Sequence, residues 1–151
     1  MARPTTTQLL AALLAAAALL AGAGAAVAAT SATVKCTNKA GTACSGAAGP
    51  LHVTMVPSTH SPVIKAKWPL KVTATLSGKP ASASAEYEFL YGSIVVSTQY
   101  PRYNKHFRFT GSFSDNLVFP PPSLGQPLTL QLVIKAGSDT VNLDWTIKSV
   151  R

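Results

Sequence analysis

From Pro127 to Lys148 the chain carries two runs of strict alternation. Leu128, Leu130, Leu132 and Ile134 recur at every second position with Thr129, Gln131 and Val133 between them. Val141, Leu143, Trp145 and Ile147 alternate in the same way with Asn142, Asp144, Thr146 and Lys148. A period of two sends successive side chains to opposite faces of an extended chain, so each run is a strand with one oily face. Between them, Ala136-Gly137-Ser138-Asp139 supplies a glycine able to take positive φ, flanked by small polar residues that bond their own backbone, the chemistry of a tight reversal. The segment is a β-hairpin. A lone hairpin does not stay folded in water, so the rest of the chain must supply strands that cover its oily face.

Hydrophobic residues make up 47% of the 151, a figure inflated by the first segment. Leu9 to Leu20 is an almost pure Ala/Leu run behind a basic start at Arg3, and Ala26-Val27-Ala28 offers small residues for cleavage, the pattern of a secretory signal peptide over residues 1–29. The competing reading is an uncleaved anchor, because Leu9 to Ala29 is about long enough to span a bilayer, although its second half is Ala and Gly with little transfer energy. No paired arginines indicate a twin-arginine route, and Thr33-Val34-Lys35 before Cys36 is not a lipoprotein box. The expected location is extracellular or at the cell surface, with no stable membrane span after cleavage.

Taking Arg3 away from 13 basic side chains leaves twelve against five acidic ones, a net charge of +7 on the mature chain. Such an excess attracts anionic partners over long range: wall polymers, anionic lipid headgroups or stray nucleic acid. It equally serves to keep a sheet-rich protein soluble. The two cysteines, Cys36 and Cys44, pair as a disulfide in an exported chain. Closing so short a loop stabilises by roughly 2.5 kcal/mol in the chain-entropy model. The pair lacks CxxC spacing and an adjacent histidine, which argues against a metal-binding or reactive thiol site.

Residues 30–50 are small, polar and glycine-containing, and read as a tail stapled by the disulfide, with a little strand near Thr33 to Cys36. Residues 51–151 form the domain. Strands are expected at Leu51 to Val56, Trp68 to Leu76, Ala83 to Tyr91, Ser93 to Tyr100 and Tyr103 to Phe113, then in the closing hairpin. Asn116 to Phe119 either extends the fifth of these or stands alone. Phe119-Pro120-Pro121-Pro122-Ser123-Leu124-Gly125 is expected as a stiff connection in polyproline geometry crossing from one sheet to the other. About seven short strands with turn signals at roughly ten-residue spacing, no helix after the signal and no long repeat give an all-β class: an antiparallel sandwich after an N-terminal signal helix. Trp68-Pro69-Leu70-Lys71-Val72-Thr73-Ala74, Gly78-Lys79-Pro80 and Gln126-Pro127-Leu128-Thr129-Leu130 resemble the strand openings and turns of immunoglobulin-like (fibronectin-like) modules of secreted bacterial proteins. The resemblance runs from about Leu51 to Val150 and is architectural; it implies adhesion, carbohydrate binding, chaperoning or plain spacing without choosing among them. Unlike antibody-type domains, the chain has both cysteines ahead of the expected sandwich, so no disulfide is expected between its sheets.

Catalytic motifs are missing. The carboxylates are Glu86, Glu88, Asp115, Asp139 and Asp144, and no GxSxG, HExxH or P-loop spacing is present. Glu86 and Glu88 share a strand face and form a pair in principle, but a solvated outer face explains them. No enzyme and no cofactor is expected. His52, Met55, His60 and His106 carry the donor types copper favours, which gives an alternative reading as an extracellular copper-binding protein. Its weakness is that His52 and Met55, three apart, point to opposite faces of a strand. The most informative stretch is Tyr100 to Phe109, where Arg102, Lys105, His106 and Arg108 interleave with Tyr100, Tyr103, Phe107 and Phe109. Cations beside aromatics suit an anionic polymer or one with rings to stack; they equally suit an edge strand whose charges deter unwanted pairing. Tyr100, Arg102, Tyr103, Lys105, His106 and Arg108 are therefore the candidate binding residues. The function expected is that of a secreted, non-enzymatic module binding an anionic envelope component or a protein partner, with no specific nucleic acid.

Overall fold

The computed structural model describes residues 28–151, so the signal segment, apart from its last two residues, lies outside the described residues. Eleven strands are present among the described residues: β1 (Ser31–Cys36), β2 (Cys44–Ala48), β3 (Leu51–Pro57), β4 (Lys67–Leu76), β5 (Lys79–Pro80), β6 (Ser82–Tyr91), β7 (Ile94–Gln99), β8 (Arg108–Thr110), β9 (Ser112–Val118), β10 (Pro127–Ala136) and β11 (Asp139–Lys148). They form two sheets packed as a β-sandwich. The first runs β1-β11-β10-β6-β7, with β8 also beside β6; the second runs β2-β3-β4-β5, with β9 also beside β4. No helix among the described residues is long and apolar enough to cross a membrane.

The closing hairpin pairs as its alternation dictates: Leu128 faces Ile147, Leu130 faces Trp145, Leu132 faces Leu143 and Ile134 faces Val141. Gly137 takes φ +59 at the first position of a two-residue turn, a place where only glycine is unstrained. Opposite its buried face lie Leu51, Val53 and Met55 of β3 with Trp68, Leu70, Val72 and Ala74 of β4, all in one core with Tyr87 and Phe89 of β6. Trp68 and Trp145 come from different sheets, and both donate their indole N–H to the Thr59 carbonyl, at 3.0 and 3.2 Å.

Residues 30–50, expected as a stapled tail, are built into the sandwich. β1 pairs in parallel with β11, from Ser31 beside Thr140 to Cys36 beside Trp145, and this is the one parallel pairing between named strands. β2 joins the other sheet, antiparallel to β3. The Cys36–Cys44 disulfide therefore links the two sheets, and both cysteines are buried. The small residues have a packing reason. At Gly46 of β2, a Cβ would stand 2.9 to 3.1 Å from side-chain carbons of Val34, Leu143 and Val141. Only glycine lets β2 approach β1 and β11 this closely.

The stretch Tyr103 to Phe113, expected as one strand, is divided. Pro101–Tyr103 closes a 3-10 turn, β8 pairs with β6 in the first sheet, and β9 pairs with β4 in the second. Gly111, at φ +74, is the crossing point: it donates to the Ala81 carbonyl and accepts from the Ala74 N–H. The proline link does cross between sheets, and Pro120 has polyproline angles (φ −75, ψ 157), but Pro121–Ser123 form a 3-10 turn held by the Ser123 hydroxyl on the Pro120 carbonyl.

Gly46→Ala tests the close approach. Overpacking of this kind costs about 1–3 kcal/mol, and thermal or denaturant unfolding of the disulfide-intact protein is expected to show it, whereas Gly41→Ala, where nothing lies within 4 Å of the added Cβ but φ is +77, should lose only about 1 kcal/mol of backbone strain.

Candidate functional site

β6 has ten residues, and its free edge is shared by two short strands. β7 pairs with Tyr87 to Tyr91, and β8 pairs with Ser82 to Ser84. Ala85 and Glu86 have no strand beside them on that edge, because the chain between β7 and β8 loops outward. A concavity of about 170 Å³ opens there, lined by Ser84, Glu86, Tyr100, Lys105, His106 and Arg108 together with Val133 and Lys135 of β10.

The loop that forms its wall is fixed from three sides. Pro101 is buried, and Arg102 and Tyr103 sit in left-handed backbone conformations, φ 54 and φ 56, which non-glycine residues adopt at a cost of order 1 kcal/mol each. The Asp115 carboxylate of β9 meets this strain by accepting the Arg102 N–H at 3.4 Å. The same oxygen accepts the Tyr87 hydroxyl at 3.0 Å. Further along, Asn104 accepts the His106 N–H at 3.0 Å, an Asx turn. Phe107, Phe109 and Phe113 then pack as a buried aromatic cluster, with Phe113 4.9 and 4.7 Å from the other two. With Phe107 and Phe109 turned inward, their neighbours His106 and Arg108 must point outward into the concavity.

Four of the six expected binding residues, Tyr100, Lys105, His106 and Arg108, are thus brought together. Arg102 and Tyr103 are not among the lining residues. The Arg102 guanidinium lies over the Phe107 ring, 5.6 Å from its centroid, and Tyr103 is 81% exposed on the adjoining turn. Lys135 was not singled out in the sequence, and Glu86 only as half of a carboxylate pair with Glu88. Lys135 and Glu86 form an ion pair at 3.0 Å across the β10–β6 boundary, leaving Lys105 and Arg108 as the cations of the concavity not paired with a carboxylate among the described residues. Lys67 and Lys71 alternate with inward-facing Trp68, Leu70 and Val72, so they project from the outer face of the second sheet and do not join this wall.

The copper-type donors are dispersed. Met55 is fully buried in the core and His52 faces outward from β3. His60 lies flat on Trp145, ring centroids 3.7 Å apart and 8° from parallel, with its nitrogens beside the carbonyls of Thr146 and Asn38. His106 is in the concavity on the first sheet. Among the described residues no three His, Cys, Asp or Glu side chains converge on a point. The carboxylates also have local work: Asp139 accepts the Thr30 N–H and Asp144 accepts from Gln131.

Burial, and then the neighbouring Asp115 charge, push the Tyr87 hydroxyl far above the ordinary tyrosine range. In the unfolded chain it ionises near pH 10, so its contribution to stability is complete below that pH and is lost as pH rises above it. In an alkaline titration the Tyr87 phenolate absorbance is expected to emerge only together with loss of the β-sheet circular dichroism signal, and Tyr87→Phe to remove that component; its appearance in the folded protein would contradict the burial. No family model, curated protein sequence or solved structure matches this chain.

Proposed function

We propose that the chain is a secreted, non-enzymatic immunoglobulin-like module that binds an anionic group of a cell-envelope component through the concavity beside β6. The observation that carries this reading is the convergence of Lys105, Arg108 and Lys135 with His106 and the Tyr100 ring around one small opening that holds a single carboxylate, Glu86. Guanidinium and ammonium groups at a rigid opening make charge-assisted hydrogen bonds to carboxylate or phosphate oxygens. The +7 charge of the mature chain draws such a ligand in from a distance. The signal-like segment and the inter-sheet disulfide suit an oxidising compartment. A volume of about 170 Å³ suits one anionic substituent and not a length of polymer, so a repeating polymer would engage it one group at a time.

The non-enzymatic part of the reading rests on the carboxylates. Four of the five are engaged: Glu86 is paired with Lys135, Asp115 holds Tyr87 and the Arg102 backbone, Asp139 holds Thr30, and Asp144 holds Gln131; the fifth, Glu88, stands opposite Gln131 and Thr98 and does not line the concavity. A general acid or base needs a group free to take up and release a proton beside a substrate.

Co-sedimentation of the purified protein with cell-wall and anionic-lipid preparations over a range of salt tests the proposal. Binding should weaken steeply with salt. Lys105→Ala/Arg108→Ala should lower affinity by about tenfold or more and flatten the salt dependence, each lost charge-assisted contact being of order 1–2 kcal/mol. Lys67→Ala/Lys71→Ala, which removes the same charge from the other sheet, should do much less. Equal losses in the two double variants would reduce the effect to net charge alone and sink the pocket.

A further inference from the structure

β7 is an outer strand of the first sheet, and a single register shift is all that guards it. Its six residues line the sheet edge with Ile94 68%, Val95 46% and Val96 55% exposed, and Tyr91 at the preceding turn is 52% exposed. Natural sheet edges are protected by charges, proline, bulges or a covering loop. Here no charged residue occurs between Glu88 and Arg102 and no proline before Pro101. The one irregularity is a register shift opposite Phe89 and Leu90. Val96 also lines an apolar cleft of about 100 Å³ with Phe89, Val118, Phe119 and Leu128, where the edges of β7 and β9 approach each other. Val118, itself 40% exposed, continues the apolar surface onto the second sheet.

We infer that β7 pairs antiparallel with β7 of a second copy of this chain about a two-fold axis, joining the two first sheets into one. An unpaired ladder of N–H and C=O groups selects a strand as its occupant. Charge then selects among strands. Two bodies carrying +7 each repel wherever lysines face one another, and Tyr91 to Gln99 is a surface on which no charges meet. An antiparallel strand is also its own complement, which is what an isologous interface requires. With the axis between Val96 and Ser97, Val96 lies opposite Ser97, Val95 opposite Thr98 and Ile94 opposite Gln99. Every cross-strand pair sets an aliphatic side chain beside a small or uncharged polar one, and the exposed valines of both copies close over the apolar cleft. An anionic polymer has nothing to hold on this surface.

A two-fold axis perpendicular to the joined sheet turns both outer faces the same way. If the pocket reading holds, the dimer therefore presents two pockets to one repeating polymer; the pairing itself does not depend on that reading.

Sedimentation equilibrium of the disulfide-intact chain tests it without any ligand. The expected result is a reversible monomer–dimer equilibrium, with amide-exchange protection that grows with concentration in β7 and not in β2 or β9. Val95→Lys/Thr98→Lys places lysines opposite each other twice and should weaken dimerisation by roughly tenfold or more. Val95→Glu/Thr98→Lys sets opposite charges across the same axis and should restore it. Val95 and Thr98 are both exposed, and circular dichroism should show the fold unchanged in both variants. A wild-type chain that stays monomeric at all concentrations overturns the proposal, as does a dimer indifferent to both double variants or one that the charge-complementary variant fails to restore. Loss of polymer binding with the dimer intact would count against the pocket and leave the strand pairing standing.

Discussion

A single backbone oxygen sets the conditions for the rest of the sandwich. The Thr59 carbonyl accepts the indole N–H of Trp68 from the second sheet and of Trp145 from the first. Both rings are buried, and an indole N–H buried without an acceptor costs about 1–3 kcal/mol. A carbonyl has two lone pairs and can serve both. For that to happen, the segment between β3 and β4 has to pass across the end of the sandwich instead of bulging into solvent. It is held there by β-type bonds to the end of the chain: Lys148 donates to His60, Val150 donates to Pro62, and Ile64 donates to Val150. His60, flat against Trp145, closes the core at this end. A histidine that composition alone nominates as a metal donor is thereby occupied in packing.

The local part of this architecture was legible. Alternation in β10, β11, β3, β4 and β6 specifies which side chains turn inward, from Leu130 and Trp145 to Tyr87 and Phe89; the exceptions include Val133, buried on the other face of β10, and Tyr91, exposed at the end of β6. What was not legible depends on contacts distant in sequence. Nothing between Thr30 and Pro50 alternates strongly, since β1 is only half covered and β2 has to be small to fit against Val34, Val141 and Leu143. A run of Ala, Gly and Ser reads as a tail until the surface it must approach is known. The parallel pairing of β1 with β11 spans 109 positions, from Ser31 to Thr140. Likewise Phe107, Phe109 and Phe113 have the same parity and look like one strand face, but Gly111 turns the chain between sheets, so they meet as a cluster from two sides.

The same distinction governs the candidate site. The inward setting of Phe107 and Phe109, and therefore the outward setting of His106 and Arg108, follows from alternation. That Arg102 and Tyr103 leave the wall follows from a left-handed turn, which their types disfavour and which Asp115 imposes from another sheet. Lys135 belongs to the hairpin in sequence and to the pocket in space, because β10 pairs with β6 and sets Lys135 beside Ser84. The charge also sorts by sheet. Strands of the first sheet carry Lys35, Arg108, Lys135 and Lys148 against Glu86, Glu88, Asp139 and Asp144, an even balance. The excess lies in Lys67, Lys71 and Lys79 of the second sheet and in the loops, where the sole acid of those strands, Asp115, is turned toward Tyr87. Net charge attracts, therefore, but does not locate.

What locates is the divided edge of β6. A single long neighbour would have paired all ten residues and left a flat, closed sheet. Instead, Pro101 removes a donor just as β7 ends, the chain makes an excursion from Tyr100 to Phe107, and it rejoins β6 only at Arg108. The excursion leaves Ala85 and Glu86 without an edge partner, and the basic side chains gather around that gap. It also ends β7 early, leaving a six-residue strand whose other side faces solvent with three exposed aliphatic residues. Pocket and bare edge are thus two results of one interruption in strand pairing, and a change that lengthened β7 through Tyr100 to Lys105 would close the first while extending the second.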